Sequence, residues 1–147
     1  MSLKNVNYIT FLVSALLFIC AIYIYISNRS RDMVLYSWLG LDYDNTFFEV
    51  IRCHSFYMPP CIKYNFPDGL WMLSFLLFME SVWSDEKFLK LIFCIPIIAF
   101  AFILEILQFS GYFPGTGDVL DIFAYVLAIL LFILLTKLKQ IYYEKNN

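Results

Sequence analysis

Residues 8–26 read YITFLVSALLFICAIYIYI, an apolar run of 19 residues without a charged side chain. An α-helix of this length is about 28 Å long, which is close to the thickness of the hydrocarbon core of a bilayer. No small-x-small cleavage motif precedes Ser27. The run therefore predicts an uncleaved membrane anchor helix rather than a signal peptide.

The rest of the chain repeats this apolar pattern. Together with residues 8–26, further apolar runs at 68–84, 89–109 and 118–137 predict a bundle of four transmembrane helices. Charged residues make up 15% of the chain and the mean hydropathy is +0.74, whereas a soluble domain carries roughly 25% charged residues. We predict a single all-α transmembrane domain over residues 1–147.

Residues 27–67 form the one long polar connection. Within it Thr46 and Glu49 fit a capping box, in which each side chain satisfies a backbone N–H at the start of a helix. An amphipathic helix from Phe47 to about Cys53 is expected to lie along the membrane interface. Pro59 and Pro60 then prevent its continuation.

The distribution of basic residues predicts the orientation of the bundle. Six lysines fall on the side of the two termini: Lys4, Lys87, Lys90, Lys137, Lys139 and Lys145. The 27–67 connection, on the other side, contains four basic residues: Arg29, Arg31, Arg52 and Lys63. This bias places both termini in the cytoplasm and the 27–67 loop outside. A net charge of -2 leaves no basic face for nucleic acid, so membrane lipids are the expected partners.

Two cysteines, Cys53 and Cys61, fall in the loop predicted to be outside. An oxidising exterior would allow a disulfide between them. A metal site that includes His54 is the alternative, but the spacing matches no common zinc pattern. We predict neither a metal site nor a cofactor.

Carboxyl groups collect near the outer ends of the predicted spans. Glu105 and Gln108 are three residues apart and share one face of the third span. Asp118, Asp121 and Tyr125 likewise share one face of the fourth span, and Asp68 begins the second span at the same level. Ionisable groups in membrane spans usually face a bundle interior or a wet cavity, so these six residues are the candidate ligand-binding set.

Structural roles compete with this interpretation. Asp118 or Thr116 is a natural N-cap, Asp121 complements the helix dipole, and Asp68 caps the second span equally well. Glu105 with Gln108 can also fix helix packing by an interhelical hydrogen bond. Glu80, near the cytoplasmic boundary, is expected to extend toward water.

Three consecutive features resemble the C-terminal signature of VanZ-like proteins. They are Glu105-x-x-Gln108, a glycine-containing loop, and Gly117-Asp118-Val-Leu-Asp121 at the start of the last span. VanZ-like proteins are small bacterial membrane proteins named for a member that confers low-level resistance to the glycopeptide antibiotic teicoplanin. The resemblance covers residues 68–135, and Thr116 and Tyr125 stand where members often carry Arg and Asn. It implies a bacterial cytoplasmic-membrane protein of the cell envelope, with Glu105, Gln108 and Asp121 at the family's polar positions and Asp118 as a looser match.

Three functions are compatible with these features. The first is a VanZ-like protein that binds or shields a lipid-linked or glycopeptide-type ligand, such as an envelope precursor, with the 27–67 loop as a lid. Arg52 or Lys63 on that lid would replace the missing loop arginine. The second is an accessory or assembly subunit. The third is an intramembrane hydrolase or transferase with Glu105 and Asp121 as acid and base, but no evident nucleophile accompanies them, so we do not predict an enzyme.

Overall fold

A computed structural model describes residues 3–28, 46–53 and 58–146. These ranges contain no strand and form six helices: α1 (Leu3–Asn28), α2 (Thr46–Cys53), α3 (Pro60–Tyr64), α4 (Phe66–Val82), α5 (Lys87–Phe109) and α6 (Val119–Asn146). The all-α prediction is confirmed for this part of the chain.

Three of the helices are long and apolar enough to cross a membrane. The candidate spans are Asn7–Asn28 in α1, Lys87–Phe109 in α5 and Val119–Lys145 in α6. The second predicted span, 68–84, forms a helix at nearly the predicted position, but α4 has only 17 residues and measures about 26 Å. The membrane-like character is therefore established for three helices.

Helix α4 lies at the centre of the bundle. It packs most extensively against α1, next against α6, and also contacts α3 and α5. The core is built on Met72, Leu73, Leu76 and Leu77, which pack with Cys94 and Ala128 of the neighbouring helices. Because neighbouring helices pack around α4, 8 of its 17 residues are buried, whereas only 11% of the apolar window of each longer helix is buried.

Large apolar side chains cover the outer surfaces of the three longer helices. Among the most exposed are Leu16, Ile19, Phe88, Phe100, Ile106, Phe123 and Leu130. Monomeric soluble proteins rarely carry apolar patches of this extent, since such surface is costly in water. Lipid is the solvent in which this surface is favourable.

A glycine lets two helices approach closely near one end of the bundle. A Cβ atom built on Gly69 of α4 would lie 3.1 Å from the carbonyl oxygen of Ala124 in α6. Small residues at a helix interface allow this approach, which increases the van der Waals contact that drives association in lipid. The close approach joins α4 to α6 near the first turn of each helix.

The other end of α4 contains a buried ion-pair network around Glu80. Glu80 is 6% exposed, and its carboxylate accepts bonds from Lys90 Nζ at 2.6 Å and Lys139 Nζ at 3.0 Å. Lys139 also donates to Asn7 Oδ1 at 2.8 Å, and Asn7 donates to Ser84 Oγ at 2.7 Å. The expectation that Glu80 extends toward water is wrong, because the side chain instead links α4 to α5 and α6.

Helix α2 forms where the amphipathic helix was predicted, and its placement along the membrane interface stays a prediction. It packs against α1, where the Arg52 Nε–H donates to the Ile26 carbonyl oxygen at 3.2 Å. A cation at the C-terminal turn of α1 is favourable because the last carbonyls of a helix carry partial negative charge. Glu49 lies in the first turn of α2, but the Thr46 side chain lies outside the described residues, so the capping box stays a prediction.

Candidate functional site

A cavity of about 640 Å³ opens at the end of the bundle opposite Glu80. We call it the acidic cavity. Residues from α1, α3, α4, α5, α6 and the α5–α6 loop line it: Tyr25, Tyr64, Asn65, Asp68, Leu104, Glu105, Gln108, Gly115, Thr116, Asp118, Asp121 and Tyr125. This set includes all six candidate residues from the sequence. Their convergence follows from the short loop, which returns the chain from the end of α5 to the start of α6.

Asp118 caps helix α6. Its Oδ1 accepts the Leu120 N–H at 2.9 Å, and its backbone carbonyl accepts the Asp121 N–H at 3.1 Å. A carboxylate at this position satisfies a backbone donor that the helix leaves unpaired. Asp118, rather than Thr116, is therefore the N-cap that the sequence left open.

Asn65 joins the two aspartates, although it is not among the site residues predicted from the sequence. Its Nδ2 donates to Asp118 Oδ2 at 2.9 Å and to Asp121 Oδ1 at 2.7 Å. The residue precedes α4, yet its side chain makes no capping bond to that helix. The only local signal is an Asn immediately before Phe66-Pro67, which by itself suggests a helix cap.

Glu105 is buried and links α5 to the loop. Its Oε2 accepts the Asp118 N–H at 3.3 Å. The predicted interhelical role of Glu105 is thus partly visible, since the carboxylate holds the backbone at the start of α6. Gln108, one turn further along α5, lines the same cavity.

Two glycines allow the α5–α6 loop to lie against the end of α5. Gly115 has a φ of +134°, and a Cβ there would lie 2.7 Å from Gln108 Nε2. A Cβ on Gly117 would lie 2.7 Å from the backbone nitrogen of Phe109. A side chain at either position would push the loop, and Asp118 with it, away from α5.

Aromatic rings form part of the cavity wall. Tyr125 packs edge-on against Phe102 with ring centroids 5.8 Å apart, and Tyr25 and Tyr64 line the cavity from α1 and α3. Such rings offer both apolar surface and a hydroxyl group to a ligand.

The two basic residues predicted to replace a loop arginine do not line the cavity. Arg52 bonds to the end of α1, and its buried Nη2 has no hydrogen-bond partner within the described part of the chain. Lys63 Nζ lies 5.0 Å above the centre of the Tyr64 ring.

The carboxyl groups give the cavity a strongly acidic character. Four carboxyl groups and no Lys or Arg occur among the described residues that line it. Carboxylates accept hydrogen bonds and favour nearby positive charge, so the arrangement suits an amine or a hydroxyl-rich group. In the described ranges no group of three His, Cys, Asp or Glu side chains is placed to hold a metal ion.

Two earlier predictions cannot be followed into the structure. The side chains of Cys53 and Cys61 lie outside the described residues, so their disulfide stays a prediction. His54 lies outside them as well.

The capping role of Asp118 leads to a testable difference between two variants. Asp118→Ala should lower stability by about 1 kcal/mol because the cap is lost, whereas Asp118→Asn should keep the cap. The bonds from the Leu120 N–H and Asn65 lower the pKa of Asp118 below its usual value. Its charge-dependent stabilisation is therefore present above the unfolded-state pKa and is lost as the pH falls through the lowered folded-state pKa.

This difference is measured by thermal unfolding in detergent as a function of pH. Asp118→Asn should remove the part of the acid dependence that comes from this carboxyl group. Ser110→Ala, in the same loop, serves as the control because, among the described residues, its hydroxyl bonds only to the Ile106 carbonyl of α5. Equal melting temperatures for Asp118→Ala and the parent protein would contradict the capping role.

No protein-family model, curated protein or solved structure matches the chain. Its class follows from the fold and the site: a helical protein with three helices of membrane-spanning character and an acidic cavity at one end. The VanZ-like resemblance stays a prediction.

Proposed function

We propose that this chain is a four-span, VanZ-like protein of the bacterial cytoplasmic membrane that binds a lipid-linked or glycopeptide-type ligand. The acidic cavity holds the cationic or hydroxyl-rich part of that ligand. The observation that carries the proposal is the meeting of Asp68, Glu105, Asp118 and Asp121 at one cavity of about 640 Å³. This volume falls within the range of small-molecule sites, which is roughly 300–1,000 Å³.

The chemistry of the wall supports a binding role. Carboxylates, two amides and tyrosine rings lie together, so a ligand can receive charge, hydrogen bonds and apolar contact at one place. Burial of Glu105 and Asp121 keeps these groups in a medium of reduced dielectric, where an added positive charge is attracted more strongly than in water.

The proposed topology has both termini in the cytoplasm. Helix α4 is the remaining span, the second along the chain, and its short length is accommodated by local thinning of the bilayer and by its central position in the bundle. Lys87, Lys90 and Lys139 then lie on the cytoplasmic side, as the positive-inside rule favours, and the acidic cavity faces the outer leaflet.

The proposal is tested by complementation of a deletion strain. Wild type, Glu105→Gln and Asp121→Asn are expressed at matched levels, and susceptibility to teicoplanin and other envelope-targeting antibiotics is measured. Both variants should fail to restore the wild-type response while the protein remains abundant. Glu86→Gln, which changes an exposed carboxylate at the other end of the bundle, should restore it fully.

An assembly or accessory role is the second candidate. The observation that favours it is the hydrogen bonding of Asn65 and Glu105 at the start of α6, since these bonds connect three parts of the bundle. In that case activity should fall only in proportion to protein abundance. Full complementation by both variants would exclude the acidic cavity as the functional site.

A further inference from the structure

A second cavity, which we call the aromatic groove, runs between α1 and α4. Its volume is about 390 Å³. Aromatic pairs form its walls: Phe18 and Trp71 have ring centroids 4.7 Å apart, and Phe11 and Phe78 have centroids 5.8 Å apart. Apart from two serines the lining is apolar, which suits a hydrocarbon chain.

Helices α1 and α4 line both the aromatic groove and the acidic cavity, at successive levels along the bundle. Trp71 follows Asp68 by three residues on α4, and Tyr25 follows Phe18 by seven residues on α1. Each spacing puts the two residues on one helix face, so both helices present the groove and the cavity along the same side. From Asp68 to Phe78 the distance along α4 is about 15 Å.

Two buried hydroxyl groups lie in the groove. Ser14 is 3% exposed and Ser74 is 4% exposed, and both line this cavity. In the part of the chain that the structure describes, neither hydroxyl has a hydrogen-bond partner. Their oxygens are nevertheless open to the groove, because the only fully enclosed side-chain polar atom without a partner there belongs to Arg52.

An unpaired hydroxyl in an apolar setting is costly, and hydrocarbon cannot satisfy it. An ester or amide carbonyl on the occupant would accept a bond from either serine. Ser74 lies six residues beyond Asp68, a rise of about 9 Å along α4. Such a carbonyl would therefore lie about 9 Å from a head group held in the acidic cavity, in the direction of Glu80.

We infer that the aromatic groove seats the acyl chain of an amphiphile whose cationic head group occupies the acidic cavity, with Ser14 and Ser74 donating to the acyl carbonyl. This inference rests on the proposed function and names the ligand class: an acylated amine rather than an ether-linked or simple alkyl amphiphile.

The test uses three probes and the full-length protein in detergent. Aminohexyl palmitate has an amine and an ester carbonyl, aminohexyl hexadecyl ether lacks the carbonyl, and hydroxyhexyl palmitate lacks the amine. Binding is followed by the fluorescence of Trp71 after Trp38→Phe and Trp83→Phe. The ester should bind about three- to tenfold more tightly than the ether, which is the effect of one hydrogen bond.

Variants assign this preference to the groove. Ser14→Ala with Ser74→Ala should bring the ester-to-ether ratio close to one, while Ser74→Thr, which keeps a hydroxyl, should retain the preference. Ser81→Ala is the matched control, since its hydroxyl bonds to the Phe78 carbonyl of its own helix. Ala15→Leu, which fills the groove without changing either serine, should weaken both amine probes.

The outcomes separate this inference from the proposed function. Equal binding of ester and ether, a preference that survives loss of both serines, or no effect of Ala15→Leu overturns the groove assignment. Equal binding of the amine and hydroxyl probes overturns the cationic head-group site but leaves the serine and Ala15 results to support the groove.

Discussion

Replacing Glu80 by Gln is expected to lower the free energy of unfolding by about 3–5 kcal/mol, which is the typical cost of removing one partner from a buried ion pair. Glu80 is the only acidic group bonded to Lys90 and Lys139 in the described ion pairs. Glutamine can accept a bond from one lysine but supplies no charge. Two cations would then lie close together in a site of low dielectric, and each would repel the other.

The effect is measured by thermal unfolding of the purified protein in a fixed detergent. Glu86→Gln, which removes an exposed carboxylate next to the same turn, should change the melting temperature little. Combining Glu80→Met with Lys90→Met and Lys139→Met should recover most of the loss, because an apolar replacement of a whole buried network is often nearly neutral. A Glu80→Gln protein as stable as wild type would show that the network contributes little.

Replacing Asn65 by Leu is expected to cost about 3 kcal/mol, since two hydrogen bonds to charged acceptors are lost together. Asn65 is 6% exposed, and its amide is the group that donates to both Asp118 and Asp121. Without it the two carboxylates lie close together with fewer donors, and their mutual repulsion opposes docking of α6 against the start of α4.

Asn65→Asp gives a sharper version of this test. A third carboxylate should destabilise the protein most at neutral pH, and protonation at lower pH should return one donor and reduce the deficit relative to wild type. Asn28→Leu is the control because, within the part of the chain that the structure describes, the Asn28 amide bonds only to Ile24 and Ser27 of α1. A deficit for Asn65→Asp that does not shrink as the pH falls would contradict the bridging role.

The apolar runs were sufficient to predict α1, α5 and α6, because the transfer of a helix into lipid depends on the composition of that segment alone. The same locality restricted the N-cap of α6 to Asp118 or Thr116, since the cap bond reaches only two residues along the chain, and the structure identifies Asp118. The spacing of Glu105 and Gln108, and of Asp118, Asp121 and Tyr125, likewise identified helix faces before their neighbours were known.

Other features of the structure could not be predicted from local sequence patterns. Helix α4 has an apolar composition like the others, yet it is the central helix, and its surroundings depend on which faces of α1, α5 and α6 meet it. Glu80 was expected to reach water from its position near the cytoplasmic boundary, and its partners Lys90 and Lys139 could not be identified because they are 10 and 59 residues away along the chain. Asn65 was not identified for the same reason, since Asp118 and Asp121 are 53 and 56 residues away.

The sequence by itself determined that this chain forms apolar helices of membrane-spanning character with carboxyl groups gathered toward one end. Tertiary structure alone decided which of those carboxyl groups are bridged, which helix is central, and that α1 and α4 line an aromatic groove as well as the acidic cavity. The physical reason is the distance along the chain over which each property is set. Helix formation and hydropathy are set within a few turns of the chain, whereas a buried charge or hydroxyl acquires its surroundings from distant segments that only packing brings together.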